Sequence, residues 1–180
     1  MKKILALFLL MTAALCAQPA VLNLGRQGKL TVYLPEGWKV GTTDMAGTAS
    51  LTITPEGNAK ATCTISVTRP ETDRFDTKAR LKTRVEADGY SLAQQSVEGR
   101  AVAKEFALSI PGYGFYCNFT DPSLRGREAP PGQYKVITIG KIRPSPEVLI
   151  DVQILADSFR DDAYNQLLGA IEGMEFTPGR

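Results

Sequence analysis

The sequence predicts an α+β fold: a mainly antiparallel sheet with helices packed on it. Three observations carry this. Apolar and polar residues alternate in short runs from Leu30 to Ile154, the period of half-buried strands. The strands come in series rather than in regular exchange with helices, which disfavours a parallel, doubly wound sheet. An apolar stripe at helical spacing, Tyr164, Leu167, Leu168, Ile171 and Met174, closes the chain.

Residues 1–17 stand apart. Lys2 and Lys3 precede an apolar run from Ile4 to Leu15, and small residues follow at Ala14 and Ala17. This is the pattern of a secretory signal cleaved after Ala17, and it is shorter than a bilayer crossing needs. A lipid-modified Cys16 would anchor the protein to a membrane. Leu15 stands where such signals carry a small residue, so Cys16 is expected to leave with the signal. Residues 18–180 then form one domain, periplasmic or secreted, with no transmembrane segment. The 21 Lys and Arg and 19 Asp and Glu become equal once Lys2 and Lys3 are removed. A net charge near zero leaves no nucleic-acid footprint.

Along the domain, Leu30, Val32 and Leu34 mark a strand stopped by Pro35, Glu36 and Gly37, with Trp38 placed for core or edge packing. Leu51 and Ile53 mark the next strand, and Pro55 to Asn58 its turn. Ala61, Cys63, Ile65 and Val67 share one face of a third strand, with threonines and Ser66 on the other. A helix is expected over 76–88, capped by Asp76 and ended by Gly89. Its cations Lys78, Arg80, Lys82 and Arg84 read as a solvated face, since Glu71, Glu86 and Asp88 flank them. Residues 96–110 read as a hairpin turning near Glu98 and Gly99.

Tyr113, Phe115, Cys117 and Phe119 share a face of the following strand. A long loop, 120–133, follows it. Two more strands cover YKVITIG and EVLIDVQILAD, with IRPSP between them. Ser158 or Asp161 is placed to cap the last helix, Asp161 and Asp162 suit its positive end, and TPGR reads as a frayed tail. Cys63 and Cys117 each lie on the apolar side of a strand. An even pair in an exported chain predicts a disulfide between them, worth about 4 kcal/mol by loop closure.

This element order, with PEGW at 35–38, the helix at 76–88 and the closing strand-to-helix passage at 148–176, resembles the Mog1/PsbP-like family. The resemblance implies an α/β/α sandwich around the antiparallel sheet. Some members of that family bind a small GTPase, some assist a photosynthetic complex and others are uncharacterised bacterial proteins, and few are thought to be enzymes. It therefore implies an interaction or accessory module.

No complete catalytic motif appears. The chain has no histidine, which removes imidazole acid–base chemistry and histidine metal ligands. G-x-S-x-G, GxGxxG, the phosphate-loop lysine motif and the calcium-loop pattern are absent. No catalytic, cofactor or metal-binding residues are assigned, and no cofactor is expected. A carboxylate-dependent hydrolase would draw on Asp121, Asp151, Glu105 and Arg125; an envelope-associated structural protein is a further alternative. The favoured reading is an exported accessory or protein-interaction module with an envelope or secreted partner. Its expected surface is Tyr116, Asp121, Arg125 and Arg127, residue types enriched at interfaces, with Tyr116 on the side of its strand opposite Tyr113. Asn118-Phe119-Thr120 is also a glycosylation acceptor pattern, without effect if the host is bacterial.

Overall fold

The alternation around Leu30 forms β2 (Gly28–Leu34), which lies between β1 (Gln18–Asn23) and the last strand, β10 (Glu175–Pro178), in a 3-stranded antiparallel sheet. The other strands are β3 (Trp38–Met45), β4 (Thr48–Pro55), β5 (Ala61–Thr68), β6 (Lys104–Glu105), β7 (Tyr113–Thr120), β8 (Val136–Ser145) and β9 (Val148–Ala156). They form a 7-stranded sheet in the order β3-β4-β5-β9-β8-β7-β6, with every neighbouring pair antiparallel. These features come from a computed structural model that describes residues 18–45, 48–70 and 76–179. The expected signal, Cys16 included, lies outside the described residues.

Helices cover both faces of the large sheet, giving the α/β/α sandwich. On one face lie α1 (Lys78–Asp88) and the short α2 (Tyr90–Gln94). On the other lie α3 (Asp162–Glu172) and the small sheet. Each face has its own core. Leu81 and Val85 of α1 bury against Phe115, Cys117, Phe119 and Leu149. Tyr164, Leu167, Ala170 and Ile171 of α3 bury against β2, β4, β5 and β9. Complete burial of Leu167 or Ile171 stabilises the fold by about 1.5–3 kcal/mol each. Trp38 sits at the border of the second core, where its indole N–H donates to Gln166 Oε1 at 2.9 Å.

This two-faced construction overturns the expected disulfide. Cys63 and Cys117 are both buried free thiols. The register explains why: Cys63 pairs with Ile154, Ile154 with Thr138, and Thr138 with Asn118. Residues directly opposite in a sheet point to the same face. Cys63 therefore shares the α3 face with Asn118, and Cys117, one residue earlier, points to the α1 face. Three strand spacings, about 14 Å, also separate β5 from β7, whereas a disulfide needs Cα atoms within about 7 Å. Facing an apolar core was necessary for pairing but not sufficient, because the sheet has two.

Other expectations also change. Residues 96–110 form no hairpin; only Lys104 and Glu105 pair, with Tyr116 and Phe115. Thr77, not Asp76, caps α1, accepting from the Arg80 N–H at 3.2 Å. Asp161 occupies the N-cap of α3 without a side-chain cap bond, and Ser158 Oγ accepts from the Arg160 N–H instead. IRPS continues β8 to Ser145 rather than separating two strands. The described part of the expected frayed tail is paired: Thr177 and Pro178 pair with Lys29 and Gly28, and the Gly179 N–H donates to Gln27 O at 3.2 Å, while Phe176 pairs with Leu30 and the Tyr33 hydroxyl donates to Glu175 Oε2 at 2.9 Å. Phe106 lies on the α3 face of the sheet, against Tyr116 at 4.6 Å between ring centroids. Its floor is glycine: a Cβ at Gly140 would come within 2.8 Å of the Phe106 ring.

Burial pushes the Cys63 thiol up to about 12 and, with the Glu86 charge nearby, the Cys117 thiol up to about 11. Such thiols are poor nucleophiles. Purified protein alkylated without reductant should carry no label when native and a label at both positions in denaturant, read by intact mass. A disulfide-bonded protein would carry none in either state.

Candidate functional site

The α1 face of the large sheet changes character along its cross-strand rows. One row reads Ser50, Ser66, Asp151, Lys141, Phe115. The next reads Thr52, Thr64, Gln153, Ile139, Cys117. In these rows hydroxyls occupy β4 and β5, Asp151 and Gln153 occupy β9, Lys141 marks the border on β8, and the apolar side chains Ile139, Phe115 and Cys117 lie where α1 covers the sheet. At this seam is a cavity of about 300 Å³, floored by Val85 and Ile139 and rimmed by Thr64, Ser66 and Gln153.

Lys141 closes one side of that cavity. Its ammonium, on a side chain only 16% exposed, bonds Asp151 and lies 3.3 Å from Asp88 Oδ2. Arg84 Nε holds the other Asp88 oxygen at 2.8 Å. Lys141 sits near the C-terminus of α1, where a cation is favoured by the helix dipole. The cluster is internally neutralised, and its geometry is that of a clamp between α1 and the sheet.

The second candidate lies at the end of β7, in the expected loop. Asp121 caps a one-turn 3-10 segment, Pro122–Leu124, by accepting from the Ser123 N–H at 2.7 Å. Hydrogen bonding from the Ser123 side chain and N–H holds the Asp121 carboxyl below the usual carboxylate range. The Asp121 N–H donates to Lys135 O at 2.8 Å and closes the loop's base. Leu124 and Ala129 are buried anchors. Lys60 grips the far side through Ala129 O at 3.1 Å and Glu128 Oε1 at 3.3 Å. Between the anchors, Arg125, Gly126 and Arg127 are exposed. Gly126 has φ +72°, a left-handed conformation that glycine adopts without steric cost.

Behind this tip lies a cavity of about 380 Å³. Arg125, Lys135 and Arg160 line it, with Asp121 and Asp157. Among the described residues none of these three cations makes an ion pair. Asp157 Oδ2 lies 3.9 Å from Lys60, whereas its buried Oδ1 has no hydrogen-bond partner.

The expected surface residues are therefore only partly gathered. Asp121 and Arg125 share the loop cavity; Arg127 is exposed at the tip outside its lining. Tyr116 does point away from Tyr113, but the α3-side core lies there, and Tyr116 is half-buried against Phe106. Burial, with the Glu172 charge, raises its phenol above the usual range. Of the hydrolase set, Asp151 is held by Lys141 and Glu105 by Lys78 at 2.6 Å, away from Asp121 and Arg125. Among the described residues no group of three or more acidic or cysteine side chains is placed to hold a metal ion, and no helix is long and apolar enough to cross a membrane.

Sequence reasoning missed Lys135, Asp157 and Arg160. The signal was the β8–β9 hairpin: Val136 pairs with Ala156, which sets Lys135 beside Asp157. Comparison with known proteins adds no further residues, since no family model and no curated protein matches the chain.

Two measurements check these assignments. A double-mutant cycle with Lys141→Met and Asp88→Asn should return a coupling of roughly 0.5–1.5 kcal/mol by urea unfolding, modest because Asp88 is partly exposed and shared with Arg84. A coupling near zero would show that the pair does not clamp α1. Separately, Glu98 accepts from the Thr120 N–H and hydroxyl, both at 2.8 Å. Partial burial works against its charge, but these bonds outweigh it and hold its carboxyl below the ordinary range. Its contribution is thus full above the unfolded value of about 4.3 and is lost as pH falls through the lower folded value. Glu98→Gln should destabilise by about 0.5–1 kcal/mol at neutral pH, with the gap from wild type closing in acid.

Proposed function

We propose that the protein is an exported, non-catalytic accessory module, periplasmic or secreted, that binds an envelope or secreted protein through the 121–135 loop. The contrast in charge pairing carries this reading. The four cations of α1 are all satisfied: Lys78 by Glu105, Arg80 by Asp76, Lys82 by Glu86 and Arg84 by Asp88. Arg125, Lys135 and Arg160 converge on one cavity with no such partners among the described residues. Arginines at a firmly based loop are effective interface anchors, because little ordering is left to do on binding. Residues 1–17 support export, and the α/β/α sandwich is the architecture that the Mog1/PsbP-like resemblance implies.

Affinity capture from native envelope extract tests the reading. Wild type should retain a discrete partner that an Arg125→Ala/Arg127→Ala variant loses, with thermal unfolding unchanged between the two. Equal recovery by both proteins would reject a loop-centred interaction.

A further inference from the structure

We infer that the cavity behind the loop tip is a recognition pocket for an acidic peptide segment of the partner, an inference that rests on the binding-module reading above. The first support is charge. Arg125, Lys135 and Arg160 face one cavity, against two carboxylates that are not placed to neutralise them. Asp121 is engaged by the Ser123 N–H, and Asp157 leans towards Lys60. An incoming carboxylate gains charge-assisted hydrogen bonds here without first displacing an internal partner.

The second is size. At about 380 Å³ the cavity falls in the range that holds organic groups, about 300–1,000 Å³, and exceeds what one inorganic oxyanion fills. The carboxylates of Asp121 and Asp157 also disfavour a polyphosphate backbone, which brings only negative charge. A peptide brings carboxylates for the cations on a main chain that is otherwise uncharged.

The pocket is built from two connections, β7–β8 and β9–α3, and the β8–β9 register holds them together. Lys60, in the β4–β5 connection, adds a tie by touching Glu128, Ala129 and Asp157. The recognising groups thus sit on a braced frame, which lowers the ordering cost of binding.

The test is an amide NMR titration of the purified protein with a penta-glutamate peptide, a penta-glutamine peptide and inorganic phosphate. Saturable shifts at Arg125, Gly126, Lys135, Ser158 and Arg160 with penta-glutamate alone, weakened by added salt, are expected. Lys135→Gln/Arg160→Gln should lower that affinity about tenfold or more while leaving thermal unfolding in place. A charge-reversed Lys135→Glu variant should abolish it. Equal shifts with penta-glutamine, shifts confined to other surfaces, or phosphate reproducing the full pattern would each overturn the inference. If penta-glutamate fails but Arg125→Ala/Arg127→Ala still loses the captured partner, the pocket inference falls and the binding-module reading stands. If both fail, both fall.

Discussion

The pairing of β9 with β5 on one side and β8 on the other is the constraint on which the rest of the molecule depends. The strands before it, β3 to β5, and those around the long loop, β6 to β8, share no other sheet pairing. β9 joins them with apolar residues on both faces: Val152 and Ile154 in the α3-side core, Leu149 in the α1-side core. It also sets both candidate sites. Asp151 meets Lys141 across the β8–β9 pair, and the end of β9 brings Asp157 beside the base of the loop. A one-residue slip of β9 would turn its buried residues outward and dissolve both clusters.

The two faces of the large sheet are treated differently. The α3 face is covered over β4, β5 and β9 by one helix and the small sheet, and Val40 of the edge strand β3 stays exposed. The α1 face is covered mainly over β7 and β8, with Leu149 of β9 at the margin, and its threonines and serines on β4 and β5 stay partly or fully exposed. A sheet covered on one half of a face needs an anchor at the boundary, because a short helix is held mainly by its packed stripe. Only Leu81 and Val85 of α1 are buried. The Lys141–Asp88–Arg84 chain adds a polar hold at the open side, and Lys78 adds another towards β6 through Glu105.

Much of this architecture was legible in the sequence, and the failures have physical causes. Period-two alternation located β2, β4, β5, β7 and β9, and the Tyr164–Met174 stripe located α3, because each element has one uniformly apolar side. Lys104 and Glu105 pair over too short a length to leave an alternating pattern, so residues 96–110 misled. α2 spans five residues and buries only Ala93, which leaves no periodic mark. The disulfide failed because parity within a strand says that a side chain faces a core but not which core. The candidate site was legible in half: Asp121 and Arg125 lie in a recognisable loop, whereas Lys135, Asp157 and Arg160 join them only through strand register.

The small sheet has a consequence for the order of assembly. β2 lies between the first and last strands of the described chain, so its second neighbour is made from residues 175–178. Until those residues leave the ribosome, Leu30 lacks Phe176, and β2 keeps one open edge of unpaired peptide groups. Most of the large sheet can pair earlier, but the sandwich cannot close on that side. Such late, long-range closure slows folding. A nascent chain of this kind keeps its small sheet unfinished until residues 175–178 arrive.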